Sequence, residues 1–261
     1  MRIRSMLPVL ALVGLMTSCG QNTNATPETT QPTTTAAASG SITVFAAASL
    51  KGTFTTIGSQ FEAANPGATV TFNFGGSSSL ATQITQGAPA DVFASASNKT
   101  METVTTAKLA ADPSVFAVNS LEIATPTTQS IPVTSLADLA TPGIKVAVCQ
   151  IDVPCGATAL ALFEKNKVTV TPTSQEPDVK AVMSKVTLGE VDAGIVYVTD
   201  VQAAKGSVTG VEIPADQNVT TKYPIATVLT TKQPATATAF VQYLLSPAGQ
   251  KVMREAGFAA P

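Results

Sequence analysis

Histidine does not occur in this sequence of 261 residues. Without it there is no Ser-His-Asp or Cys-His catalytic machinery, no histidine-ligated metal and no histidine proton shuttle. Nor is there a Ser-x-x-Lys, the usual mark of a serine-lysine hydrolase, so enzymatic readings start from a weak base. Charge is sparse as well, at 12% of residues, and nearly balanced: 15 basic against 17 acidic side chains give −2. Such a chain carries no basic field for nucleic acid or for an acidic surface. The N-terminal apolar run, Leu7 to Met16, is too short to span a bilayer as a helix, which takes about 18 apolar residues. Self-similarity at a period of about 20 to 50 residues is absent too. What is present is a composition 44% hydrophobic, which over this length can bury the core of one large or two medium globular domains.

The apolar run follows Arg2 and Arg4 and leads to Thr17-Ser18-Cys19, the order of a signal peptide over residues 1–18. Small residues directly before a cysteine, with Gly20 after it, read as a bacterial lipobox in which Cys19 becomes the lipid-modified first residue of the mature protein. An ordinary secretory signal with an incidental cysteine is the plainer alternative. Either way the chain is exported, and losing Arg2 and Arg4 takes its net charge from −2 to −4. Residues 19–40 are rich in Thr, Ala, Pro, Asn and Gln with almost no apolar bulk. They bury too little to offset the entropy of ordering and are expected to form a flexible tether.

From Ser41 the pattern changes to short apolar strands alternating with helices. Ile42-Thr43-Val44-Phe45 reads as a strand, and Leu50, Phe54, Ile57 and Phe61 follow at helical spacing up to Asn65-Pro66-Gly67. Val70, Phe72 and Phe74 alternate with polar residues until Gly75-Gly76 breaks the strand. Behind three serines, Leu80 and Ile84 share one face of a short helix that Gly87-Ala88-Pro89 ends, and Asp91-Val92-Phe93 opens a third strand. The Gly-Gly-Ser-Ser-Ser at that helix start has two readings. One is a serine N-cap; the other is a cradle for an anion, because the first N–H groups of a helix lack intrahelical partners and carry the positive end of its dipole.

This alternation predicts a mainly parallel sheet with helices on its faces, and ligands beyond the carboxyl ends of the strands. Ser49 and Ser77, each just after a strand, would then face one crevice. A second unit of the same kind begins near Leu121, with strands at 145–148 and 194–197 and helices over 159–163 and 179–186. Tyr223 to Leu229 returns to the first unit, which helices around Phe240, Tyr243 and Leu244 and after Pro247 complete. The expected architecture is α/β with two lobes, 41–119 plus 224–261 and 120–223, joined by two crossing segments around a hinged cleft.

The blocks ITVFAAASL, GGSSSLATQITQGAPADVF, VPCG, GIVYVTD and YLLSPAGQKVMREAGF resemble the periplasmic molybdate-binding proteins of ABC transporters, from Ser41 to the C-terminus. The resemblance implies a two-lobed periplasmic-binding-protein fold of type II. It also implies that molybdate or tungstate is held by hydrogen bonds alone, with no cofactor and no metal coordinated by side chains. Carried over position by position, it implies hydroxyls from Ser49, Ser77 and Tyr197 and backbone N–H groups from Cys155 and Val179. Delivery to a permease and ATPase complex is implied as well, by a monomer tied to the bacterial cell membrane only through its lipid anchor.

The chemistry of such a set is coherent. A fully ionised tetrahedral oxyanion only accepts, so neutral hydroxyls and helix-terminal amides satisfy it, whereas a protonated phosphate would leave its own O–H unpaired. Cavity size, which decides among molybdate, tungstate and sulfate, is not written in the sequence. Each residue also has a plainer reading: Ser49 as the cap of a helix beginning at Leu50, Tyr197 as a core tyrosine, Cys155 and Val179 as ordinary helix-start residues. Cys155 stands where the family pattern has a smaller side chain. In an exported chain Cys149 and Cys155, either side of Gln-Ile-Asp-Val-Pro, are expected to form a disulfide. A receptor for sulfate or another small oxyanion is the nearest rival, an exported serine hydrolase without histidine a remote one, and an adhesin is suggested only by the tether.

Overall fold

In the computed structural model, which describes residues 38–261, the apolar positions Ile42, Val44 and Ala46 lie fully buried on β1 (Ser39–Ala47). β1 pairs in parallel along its whole length with β2 (Gly67–Gly75) and, at its end, with β3 (Val92–Ala94). Flanked on both sides, it is the kind of central parallel strand that reads as a nearly continuous apolar run. It begins at Ser39, three residues before the expected strand. The signal peptide, Cys19 and nearly all of the expected tether lie outside the described residues.

Between these strands, α1 (Lys51–Ala64) buries Phe54, Ile57 and Phe61, and α2 (Ser77–Thr85) buries Leu80, Ala81 and Ile84. A single 3-10 turn, Ala48–Leu50, separates β1 from α1. α3 (Asn98–Thr106) then leads to β4 (Ser114–Pro126), and the second unit follows as β5 (Val146–Cys149), α4 (Pro154–Asn166), β6 (Ser174–Glu176), α5 (Val179–Thr187), β7 (Ala193–Tyr197), α6 (Val198–Ala203) and β8 (Val208–Glu212). β9 (Thr220–Thr227), α7 (Pro234–Leu245) and α8 (Pro247–Glu255) close the chain.

The strands run in the order β2-β1-β3-β9-β4-β7-β5-β6, with β8 also beside β4. Pairing is parallel at both outer parts and antiparallel where β4 and β9 enter. β4 is the shared element: its Ser114–Ser120 pairs with β9, and its Leu121–Ala124 with β7. The buried apolar residues divide at the same place. One cluster draws only on residues from Leu121 to Ile213, while the other two draw on residues up to Ala117 and again from Tyr223 onward.

Candidate anion-binding site

The five residues nominated from the sequence line one cavity of about 20 Å³. Each residue arrives there at the end of an element. Ser49 sits in the 3-10 turn after β1, Ser77 opens α2, Cys155 is the second residue of α4, Val179 opens α5 and Tyr197 closes β7. All five are buried, Ser49 the most exposed of them at 7%.

The helix starts leave particular donors free. Proline at the first position of α4 has no N–H, so Cys155 carries the first donor that helix offers. In α5 the Asp178 carboxylate caps the second and third N–H groups, those of Lys180 and Ala181 at 2.8 and 3.0 Å, and takes no bond from Val179. α2 begins on Gly76 with no side-chain cap at all, so its serine run is not an N-cap. The Ser77 oxygen instead accepts the N–H of Ala96 at 3.0 Å, which leaves the Ser77 hydrogen for another acceptor. Ser49 is not a cap either: its hydroxyl meets the Tyr223 hydroxyl at 3.0 Å, from 174 residues away.

Tyr197 is 1% exposed. Its hydroxyl is the one buried side-chain N or O atom without a hydrogen-bond partner among the described residues. Burial pushes its pKa well above the ordinary tyrosine value, with Tyr223 and Asp200 adding to the effect, so it is a neutral donor throughout the physiological range. Its backbone N–H is held at 3.3 Å by Asp200, which in turn pairs with Lys180 at 2.7 Å. Burial raises the Asp200 pKa while Lys180 opposes the shift.

Two features depart from a wall made of donors alone, or complete it. Asp178 also lines the cavity, although one of its carboxylate oxygens is committed to the α5 amides. At the rim, Ser78 of α2 donates to the Asp152 carbonyl at 2.6 Å, and a Cβ on Gly76 would lie 2.5 Å from the Pro177 carbonyl oxygen. Cys149 and Cys155 form a disulfide that closes the turn before α4. Tyr223 escaped the sequence reading as a site residue because its partner Ser49 lies 174 positions away, and for Gly76 and Ser78, read within the Gly-Gly-Ser-Ser-Ser cradle, the partners Pro177 and Asp152 escaped for the same reason.

The model of the family described as bacterial extracellular solute-binding protein matches residues 42–259. The molybdate-binding protein ModA of Mycobacterium tuberculosis (strain ATCC 25618 / H37Rv) is 43% identical over 251 residues, 96% of this chain and 95% of that protein. Among solved structures, the periplasmic molybdate-binding protein of Azotobacter vinelandii superposes with a TM-score of 0.75 at 21% identity, covering 84% of this chain and 99% of that one. The sulfate-binding protein SubI of Mycobacterium tuberculosis H37Rv gives 0.72 at 20% identity, covering 84% and 86%; at such identities the likeness is one of fold. With a family model spanning nearly all the described residues and a relative this similar end to end, the chain belongs to the bacterial extracellular solute-binding proteins and is ModA-like among them.

Proposed function

We propose that this chain is the extracytoplasmic binding component of an ABC importer and that its ligand is molybdate or tungstate. The observation that carries the reading is the cavity wall: two serine hydroxyls whose oxygens already meet other hydrogen-bonding groups, a buried phenol without a partner among the described residues, and the first free N–H groups of α4 and α5. The 43% identity to a molybdate-binding protein over 96% of the chain supports the choice of anion. Ser49, Ser77 and Tyr197 donate hydroxyls, and Cys155 and Val179 donate amides. An anion whose oxygens only accept is satisfied by them without a buried countercharge.

In this reading the lobes are 41–119 with 224–261 and 120–223, which meet at β4 and β9 where the buried clusters change over. Residues 1–18 direct export, acylated Cys19 holds the monomer at the membrane, and residues 19–40 give it reach. Its role is carriage to the permease and ATPase, not turnover. A sulfate receptor is the second reading, favoured by the fold likeness to SubI and by the same acceptor-only chemistry.

Calorimetry with molybdate, tungstate, sulfate and phosphate separates these readings. Molybdate and tungstate should bind at least about tenfold tighter than sulfate, with phosphate weaker still, and Ser77→Ala should weaken molybdate about 10- to 150-fold. Sulfate binding tighter than molybdate would favour the second reading; no oxyanion binding at all would remove both.

A further inference from the structure

The two serines of the wall are held by different kinds of neighbour. Ser77 accepts from a backbone N–H, a donor that cannot reverse. Ser49 is held by another hydroxyl, and a pair of hydroxyls can run in either direction. The role of Ser49 at the cavity chooses between them. Tyr223 is 0% exposed, and its hydroxyl meets Ser49 at 3.0 Å with Asn119 and Tyr197 as further polar neighbours. If Ser49 donated to Tyr223, the phenol proton would turn toward Tyr197 and Ser49 would have no proton left for an anion. If Tyr223 donates to Ser49, both protons are placed: one on the Ser49 oxygen, the other free to leave Ser49 toward the cavity.

We propose that Tyr223 is a positioning residue for anion selection, whose buried hydroxyl donates to Ser49 and thereby fixes Ser49 as a donor to the ligand. This rests on the reading of Ser49 as an anion contact. Donation into the Ser49 oxygen also polarises its O–H, so the bond Ser49 makes to an oxyanion strengthens in concert. A ligand that offers a proton at this corner meets a hydroxyl already turned against it. Tyr223 is on β9, and its ring is fixed edge-on by Phe116, Tyr197 and Phe258 at 6.2, 6.1 and 5.4 Å between centroids. The hydroxyl is thereby held at its 3.0 Å contact with Ser49.

Calorimetry of molybdate binding to the wild type, Ser49→Ala, Tyr223→Phe and the double variant tests this. Tyr223→Phe keeps the ring and should weaken binding about 3- to 10-fold, yet cost nothing further in the Ser49→Ala background. Equal loss in both backgrounds would mean that Tyr223 acts through packing, and no loss in either would mean that it does not act; both overturn the inference while leaving the site in place. Unchanged affinity in Ser49→Ala would instead overturn the site itself, and this inference with it. As a check independent of folding defects, 3-fluorotyrosine in place of Tyr223, a more acidic and stronger donor, should tighten molybdate binding when Ser49 is present and not when it is alanine. Weakening there would also overturn the assignment.

Discussion

At the residue scale the wall is made of groups with nothing to lose and a ligand to gain. The Tyr197 hydroxyl has no hydrogen-bond partner among the described residues, so Tyr197→Phe removes no bond there. It should leave the ligand-free melting temperature unchanged or slightly raised while weakening molybdate about 10- to 150-fold; a lower melting temperature would show that the hydroxyl has a structural partner after all. The same burial makes a pH prediction. Tyr197 and Tyr223 both have pKa values raised by burial, so the folded state keeps phenol protons that the unfolded chain releases near pH 10. Folded protein then binds more protons than unfolded protein, and stability, complete below about pH 9, should fall as pH rises past about 10. Chemical denaturation across that range would contradict this if stability rose. The sequence could nominate Ser49, Ser77 and Tyr197 because each ends a legible strand or opens a legible helix. It could not show what holds them: Tyr223 stands in a run, Thr-Lys-Tyr-Pro-Ile, that reads as an ordinary strand, and its contact with Ser49 spans 174 positions.

At the element scale, helix starts meet across the cavity closely enough that a single methyl group matters. Gly76 has φ −60 and ψ 129, a conformation open to any residue, so alanine there is penalised only by the Pro177 carbonyl that its Cβ would approach to 2.5 Å. Gly76→Ala should therefore fold normally but hold the two sides apart, lowering molybdate affinity at least about tenfold. Retained affinity in calorimetry would show that the two sides can meet without that contact. Elements with strong apolar periods were readable: β1, β2, α1 and α2 fall where Ile42, Phe72, Phe54 and Leu80 place them. Those without such periods were not. α3 is rich in threonine, a poor helix former, and buries only Thr100, Met101 and Val104; β6 is three polar residues held by pairing with β5. Asn119-Ser120, read as a segment crossing between units, lies inside β4, which runs through it unbroken while the buried clusters change there.

At the scale of the whole molecule, the proposed lobes share β4 and are fastened at the cavity rim by the hydrogen bond from Ser78 to the Asp152 carbonyl. If the anion bridges them, it favours the closed form by its differential affinity, and small-angle scattering should show a smaller radius of gyration with saturating molybdate than without it. Superimposable profiles would count against closure. A wall of neutral donors leaves the long-range field to the rest of the chain. Exported without Arg2 and Arg4 the chain carries −4, so an approaching dianion is repelled at long range and attracted only once it is within reach of the helix starts. Capture is thus a reaction between like charges. Its association rate should rise with ionic strength as screening lifts the repulsion, the reverse of a receptor that steers its ligand with basic side chains, and the protein would collect its cargo faster in salty surroundings than in dilute ones.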